Sequence, residues 1–437
     1  MPKPTNLDDF LQSLLRDYDK HVYTAGSYGG TTSYPTPSLA NTMLPMFSDR
    51  WASGPGQHTL EIFDAMRPAL LLASRLLMEY YPLLWFCRLT FGRRQKMPAS
   101  SDTYLYPTEQ MNTLASSEAV RNNLRELGEV ITFMFAPRSY KSRAYGITYH
   151  APEATAFYGE FSEDDWPSIM NRYRRASGYK RCRPCIVMNP CFQDFFLHPW
   201  TNLSISARYR VRFVFAITLV HEIAHAYGFW LHSEQREPLW GNWERNAELG
   251  FSWERHVIGR VINPVGNRNG GGFSTLFDFE LQLHETRQQR HDAAKALFGL
   301  SNGRLTCLDS CGKPPSNVPI LNPSDLRGSE LFLSGPCKQY TAAIRAIPME
   351  FIVSWFQESE WIQWNQRWLS LNYYIPPSLV GAFVIIYERN GDQAQVLRLL
   401  NPDFPNDAKI LKKQPEEELK KQFAKLMVEA KPGNRKS

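Results

Sequence analysis

Between Phe213 and Gly228 the apolar positions recur with a helical period. Phe213, Ile217, Val220 and Ala224 form one stripe, and Val214, Thr218, His221 and His225 fall on the face beside it. The first turns carry a competing signal, because Arg208 to Phe215 alternates charged or polar with apolar residues and is rich in β-branched and aromatic side chains. Residues four apart share a face only on a helix, and the chemistry of His221 and His225 described below needs a shared face at least from Thr218 onward. The pattern therefore predicts a helix over 206–229.

Elsewhere the pattern predicts amphipathic or buried helices over 7–20, 58–81 and 116–135, the last capped by Ser116 or Ser117 and presenting Leu124, Leu127, Val130 and Ile131. Further helices are predicted over 283–298, Gln339 to Ile347, Met349 to Trp364 and, charged and led by Pro415, 415–430. Strands are predicted over 144–149 and 154–161, and over Cys185 to Pro190 just before the histidine helix, where the strand would form a sheet edge open to an extended peptide. Gly, Pro and Ser/Thr mark loops over 24–37, 92–102 and 301–329.

These elements divide the chain into an N-terminal helical region with linkers (1–105), a core (106–270), a mainly helical C-terminal lobe (271–410) and a charged helix with a tail (411–437). The 437 residues are enough for one large domain or two to three smaller ones. With 43% hydrophobic and 21% charged residues, disorder is excluded as the general state. The net charge of +6 is small for this length and argues against a dedicated nucleic-acid coat. The most apolar stretch, Ala69 to Cys87, carries Arg75, Glu79 and Pro82, which makes it a costly membrane span. No apolar core of signal-peptide length follows Met1, and the seven cysteines are an odd number, so reduced thiols in an intracellular, cytoplasmic setting are expected.

His221-Glu222-Ile223-Ala224-His225 reads as HExxH. On a helix the two imidazoles can share one Zn²⁺ while Glu222 points at a metal-bound water, whose pKa zinc lowers towards about 7. A carboxylate in that position can take the proton and pass it to a leaving amine, which is hydrolytic chemistry. The bland alternative is a buried helix with two hydrogen-bonded histidines.

The motif resembles that of the zinc metallopeptidases called zincins, over a core of about 180–260. The resemblance implies an α+β fold: a small twisted sheet, the HExxH helix behind it and a cleft. The branches of this family differ in the third metal ligand. In the metzincin pattern Gly228 matches the glycine, but Leu231 stands at the histidine position, His232 is one residue late, and no methionine turn lies nearby: Ile347-Pro348-Met349 is far downstream and reads as a core methionine. The gluzincin pattern takes a Glu from a second helix about twenty or more residues on. Glu248, after Asn246-Ala247, ranks first as third ligand; Glu244 follows, with Glu254 and His232 behind.

Other constellations are weaker. Cys182, Cys185 and Cys191 have the start of a structural zinc pattern without a second CxxC, and Cys307 and Cys311 could join only through long-range packing. The basic stretch from Arg172 to Arg183 interleaves tyrosines and could hold nucleic acid, although a solvated face is the simpler account. His284 and His291 read as surface residues, and His256, Tyr227, Tyr373 and Tyr374 are donors that could face an oxyanion. The expected function is zinc-dependent peptide-bond hydrolysis, with His221, His225 and Glu248 on the metal and Glu222 as base. The alternatives are a silent zincin-like binding protein and a protease recruited to nucleic acid.

Overall fold

The computed structural model describes residues 7, 9–11, 33–48, 59–98, 101–136, 144–150, 182–197, 203–232, 236–266, 272–283, 289, 320–329, 339–379, 382–390 and 393–400. In chain order its main elements are helices α1 (Thr59–Met78) and α2 (Tyr80–Phe91), strands β1 (Arg93–Lys96) and β2 (Thr103–Tyr106), and helix α3 (Leu114–Val130). Strands β3 (Thr132–Phe135), β4 (Gly146–Tyr149) and β5 (Cys185–Met188) follow, then α4 (Pro190–Leu197), α5 (Ile205–His232) and α6 (Leu249–Trp253). The C-terminal part holds β6 (Ile262–Val265), β7 (Thr275–Leu283), β8 (Gln339–Ala346), α7 (Met349–Ser354), α8 (Glu358–Leu371), β9 (Phe383–Asn390) and β10 (Gln393–Leu400). The architecture is α+β.

Helix α5 is the centre of the molecule, and 83% of its most apolar stretch is buried inside the protein. By length and composition alone, 28 residues that include an 18-residue stretch of mean hydropathy 1.3, it would also suffice to cross a membrane. Its first turns are helical, against the strand-like alternation, because the arginines find partners all round the helix. Arg208 donates to the Leu203 carbonyl, Arg210 to that of Phe273 and Arg212 to that of Ala65. Burial lowers the Arg212 pKa to about 10. Between these side chains, Phe213 packs on Phe351 and Trp355, and Phe215 on Phe135, Phe192 and Phe196. One hydrophobic core runs from Leu44 to Ala382 through this helix.

Besides the β1–β2 pair the described residues form two sheets, and the smaller of these packs on α5. The smaller has the order β3-β5-β4, with β3 parallel and β4 antiparallel to β5. The strand expected at the sheet edge, 185–190, is thus the central one, formed over Cys185–Met188, and all four residues of β5 are buried. The edge beside α5 is β4, within the stretch 144–149 expected to be extended.

The larger sheet is an antiparallel meander in the order β10-β9-β8-β7-β6. It corrects the expectation of a mainly helical C-terminal lobe: Gln339 to Ala346, read as helix, is β8, between β7 and β9. Thr341 to Ile344 are buried on both faces, which removes the alternation that marks a half-exposed strand. A division at 270 would also separate the paired strands β6 and β7. A smaller core including Phe10, Phe277, Tyr340 and Tyr387 packs on this sheet.

Three boundaries also shift. The helix expected to reach Phe135 ends at Val130, where Ile131 turns extended and lets 132–135 pair with β5. The helix expected over 58–81 breaks at Glu79 (ψ 138) and restarts as α2, with Pro82 in the first turn, where no helical N–H bond is required of it. Part of the expected loop 92–102 is β1, paired with β2. The expected elements at 154–161 and 415–430, all of 12–20 and all of 284–298 but residue 289 lie outside the described residues.

Candidate metal centre

His221 and His225 stand one turn apart on α5, so their rings face the same cleft, with centroids 5.2 Å apart. The chain leaves α5, runs through Glu237 and Glu244, and starts α6 at Leu249 with Glu248 as its N-cap. One Glu248 oxygen accepts the Phe251 N–H at 2.5 Å, a capping bond that fixes the carboxylate at the helix start. The other oxygen lies 2.8 Å from His225 Nε2 and 3.2 Å from His221 Nε2. A donor atom from each of the three residues therefore lies within 4.8 Å of the other two, the only such group of three or more His, Cys, Asp or Glu among the described residues.

The far nitrogen of each ring is also held. His221 Nδ1 meets Glu254 at 2.8 Å and His225 Nδ1 meets Glu237 at 2.5 Å. Glu237 accepts the Leu249 N–H with its second oxygen, so the same carboxylate ties the histidine helix to α6. A carboxylate on Nδ1 fixes the tautomer and leaves Nε2 free to act as a ligand. Two imidazole nitrogens and one carboxylate are a donor set that zinc takes in catalytic sites, and they fit it here.

The electrostatics are those of buried carboxylates gathered around two imidazoles. Burial disfavours a charged imidazole, yet Glu248, Glu254 and Glu222 outweigh it and raise the His221 pKa to about 9. Glu237 and Glu248 likewise outweigh burial and raise His225 well above its ordinary value. Burial would raise the Glu248 pKa, but the two imidazoles hold it well below the usual carboxylate range.

Glu222 is buried on the cleft side of α5. The Thr148 hydroxyl lies 2.7 Å from its Oε2, so β4 orients the carboxylate. Gly146, on the same strand, passes so close that a Cβ there would sit 2.7 Å from Glu222 Cγ and Oε1. The cleft has a volume of about 780 Å³, and its walls include Tyr145, Ile147, Phe251, Asn263 and Arg327. A second cleft of about 490 Å³ opens beside it, sharing His225, Phe229 and Glu248 and adding Arg236 and Arg245.

Gly250 is a close approach of another kind. A Cβ there would lie 2.3 Å from His221 Cδ2 and Nε2. Gly250→Ala is expected to push the imidazole off its position and weaken any zinc binding there by about 10- to 100-fold, with overpacking costing about 1–3 kcal/mol in stability. Competition with a chromophoric chelator measures the first and thermal unfolding the second. Zinc binding equal to the wild type would show that the ring position is not tied to α6.

The other candidates lie elsewhere. Glu244 accepts the Trp240 N–H at 2.7 Å and the Ser252 hydroxyl at 2.8 Å, and burial raises its pKa to about 7. It braces the loop that carries Glu237 and Glu248. Glu254 is the partner of His221 rather than a member of the triad, and His232 ends α5 outside it. Tyr227 bonds with Thr90 and Asn123, while His256 stacks on Tyr374 and meets Trp240 edge to face; Tyr373 does not line the cleft. Cys182 and Cys185 are free thiols, and burial raises the Cys182 pKa to about 12. Of the basic stretch, 172–181 lies outside the described residues, as do His284, His291, Cys307 and Cys311.

Glu237, Thr148 and Arg327 are the site residues that sequence reasoning missed. Glu237 sits in the polar run Glu234-Gln235-Arg236-Glu237 without periodicity, and the other two are remote from the motif, so a single sequence offers no signal for them. Compared with protein-family models, curated proteins and solved structures, the chain matches none of them.

Proposed function

We propose that the chain is a zinc-dependent peptide hydrolase of gluzincin-like design, with His221, His225 and Glu248 holding the metal and Glu222 as general base. The observation that carries this reading is the double anchoring of the triad: three donors converge while both imidazoles have their far nitrogens on carboxylates. Two histidines merely buried on a helix would not require a third donor between them. When bound, zinc supplies Lewis acidity, lowering the pKa of a water to about 7 and polarising a carbonyl.

The chain's own residues supply the rest. Glu222 takes a proton from the attacking water as its oxygen bonds to the scissile carbon. The carboxyl group then delivers that proton to the amide nitrogen as the C–N bond breaks, giving a carboxylic acid and an amine. The Thr148 hydroxyl holds one Glu222 oxygen and leaves the other for this exchange. Strand β4 pairs with β5 on one side only, among the described residues, and Gly146, Ile147 and Thr148 line the cleft. An extended peptide that adds as a further strand at this edge would lie along the cleft. The two clefts that meet at His225 and Glu248 give such a peptide room on both sides of the scissile bond.

The test is metal removal. The purified protein is expected to contain about one zinc per chain by elemental analysis and to cleave an unbiased peptide library. Dialysis against a chelator should abolish cleavage, and zinc should restore it. A protein that neither contains nor takes up zinc would refute the reading.

A further inference from the structure

We propose that Arg327 is a positioning residue for the metal centre, locking Glu254 against His221 from the opposite wall of the cleft; this rests on the metal reading above. Arg327 Nη2 donates to Glu254 Oε1 at 2.9 Å, and the same oxygen accepts from His221 Nδ1 at 2.8 Å. The second Glu254 oxygen accepts the Ile262 N–H at 3.3 Å. Glu254 is fully buried, so Arg327 is the cation that compensates a carboxylate with no access to water.

Both ends of the bridge are built for the position. Glu254 opens a five-residue π-helix, Glu254–Ile258, where α6 ends, a geometry that recurs at functional sites because it re-aims side chains. Arg327 also donates to the Ile262 carbonyl, its backbone N–H is held by Asn263 Oδ1 at 2.8 Å, and its guanidinium lies over the rings of Phe251 (5.4 Å) and Tyr145 (5.7 Å). Gly328 fixes the turn behind it: its φ is +80°, and a Cβ there would lie 2.8 Å from Val261. Without the guanidinium, Glu254 keeps only the imidazole and the long bond from the Ile262 N–H.

Zinc affinity, measured on the full chain by chelator competition, tests this. R327Q is expected to weaken zinc binding by about 10- to 100-fold, the usual loss for a partner one bond behind a ligand, with R327K recovering part of it. In an E254Q background R327Q should cost no more than about threefold further, because the bridge is already broken. R345Q, which cuts the remote ion pairs to Asp278 and Glu280, should leave zinc affinity unchanged and controls for general loss of stability. Wild-type zinc affinity in R327Q, losses that multiply in the double variant, or equal losses in R327Q and R345Q would each overturn the role. A wild-type protein without zinc affinity would overturn the metal centre as a whole and Arg327 with it.

Discussion

Glu222→Gln is expected to keep the fold and the zinc content and to lower peptide hydrolysis by about 10²- to 10⁴-fold, the range over which a positioned general base contributes. Glu222 is not one of the three converging donors, so metal content should not follow it. The amide is isosteric, and its oxygen can still accept from Thr148, so the contact to β4 survives. What the amide cannot do is take a proton from water. The measurement is kcat/KM on a peptide found in the library, beside bound zinc and thermal unfolding for both proteins. Undiminished turnover with full zinc would assign the base to another residue.

The second large effect separates ligand from support. His225→Ala and Glu248→Ala are each expected to lose zinc far beyond the roughly 10- to 100-fold typical of groups that only hydrogen-bond to a ligand. The Glu248 oxygen lies within hydrogen-bonding distance of both Nε2 atoms, so no other carboxylate need move to complete the site. Glu244→Ala removes bonds to Trp240 and Ser252 and is expected to destabilise the loop while costing much less metal. His232→Ala should leave affinity unchanged, because the ring lies outside the converging group. Chelator competition on the four proteins in parallel decides the order. A larger loss from Glu244→Ala or His232→Ala than from Glu248→Ala would give the third position to another residue and leave the histidine pair intact.

The histidine pair and its helix were legible because both are local. Apolar residues at helical spacing over 206–229 select a helix, and residues four apart then share a face whatever surrounds them. Glu248 was legible as a candidate by its distance along the chain, but so were Glu244 and Glu254. Only the turn from Glu237 into α6 separates them. It sends Glu248 to the imidazole Nε2 atoms, Glu254 to the back of one ring and Glu244 into the loop.

Pairing between distant segments was hidden for a physical reason. Residues 339–346 contain Ala342, Ala343 and Ala346, which favour a helix by propensity, and burial between two strands overrides that preference while erasing the alternation a half-exposed strand would print. The edge of the small sheet depends on which strand pairs with which, and a run of four apolar residues such as 185–188 is the same string at a centre or an edge. Thr148 reaches Glu222 across 74 residues and Arg327 reaches Glu254 across 73. The amino-acid sequence by itself determined the HExxH helix, its two facing imidazoles and the carboxylate between them, since backbone periodicity is enough for that. Tertiary structure alone decided which acidic residue completes the triad, which two stand behind the histidines and which strand edge faces them, because those choices depend on packing between segments that carry no mark of one another.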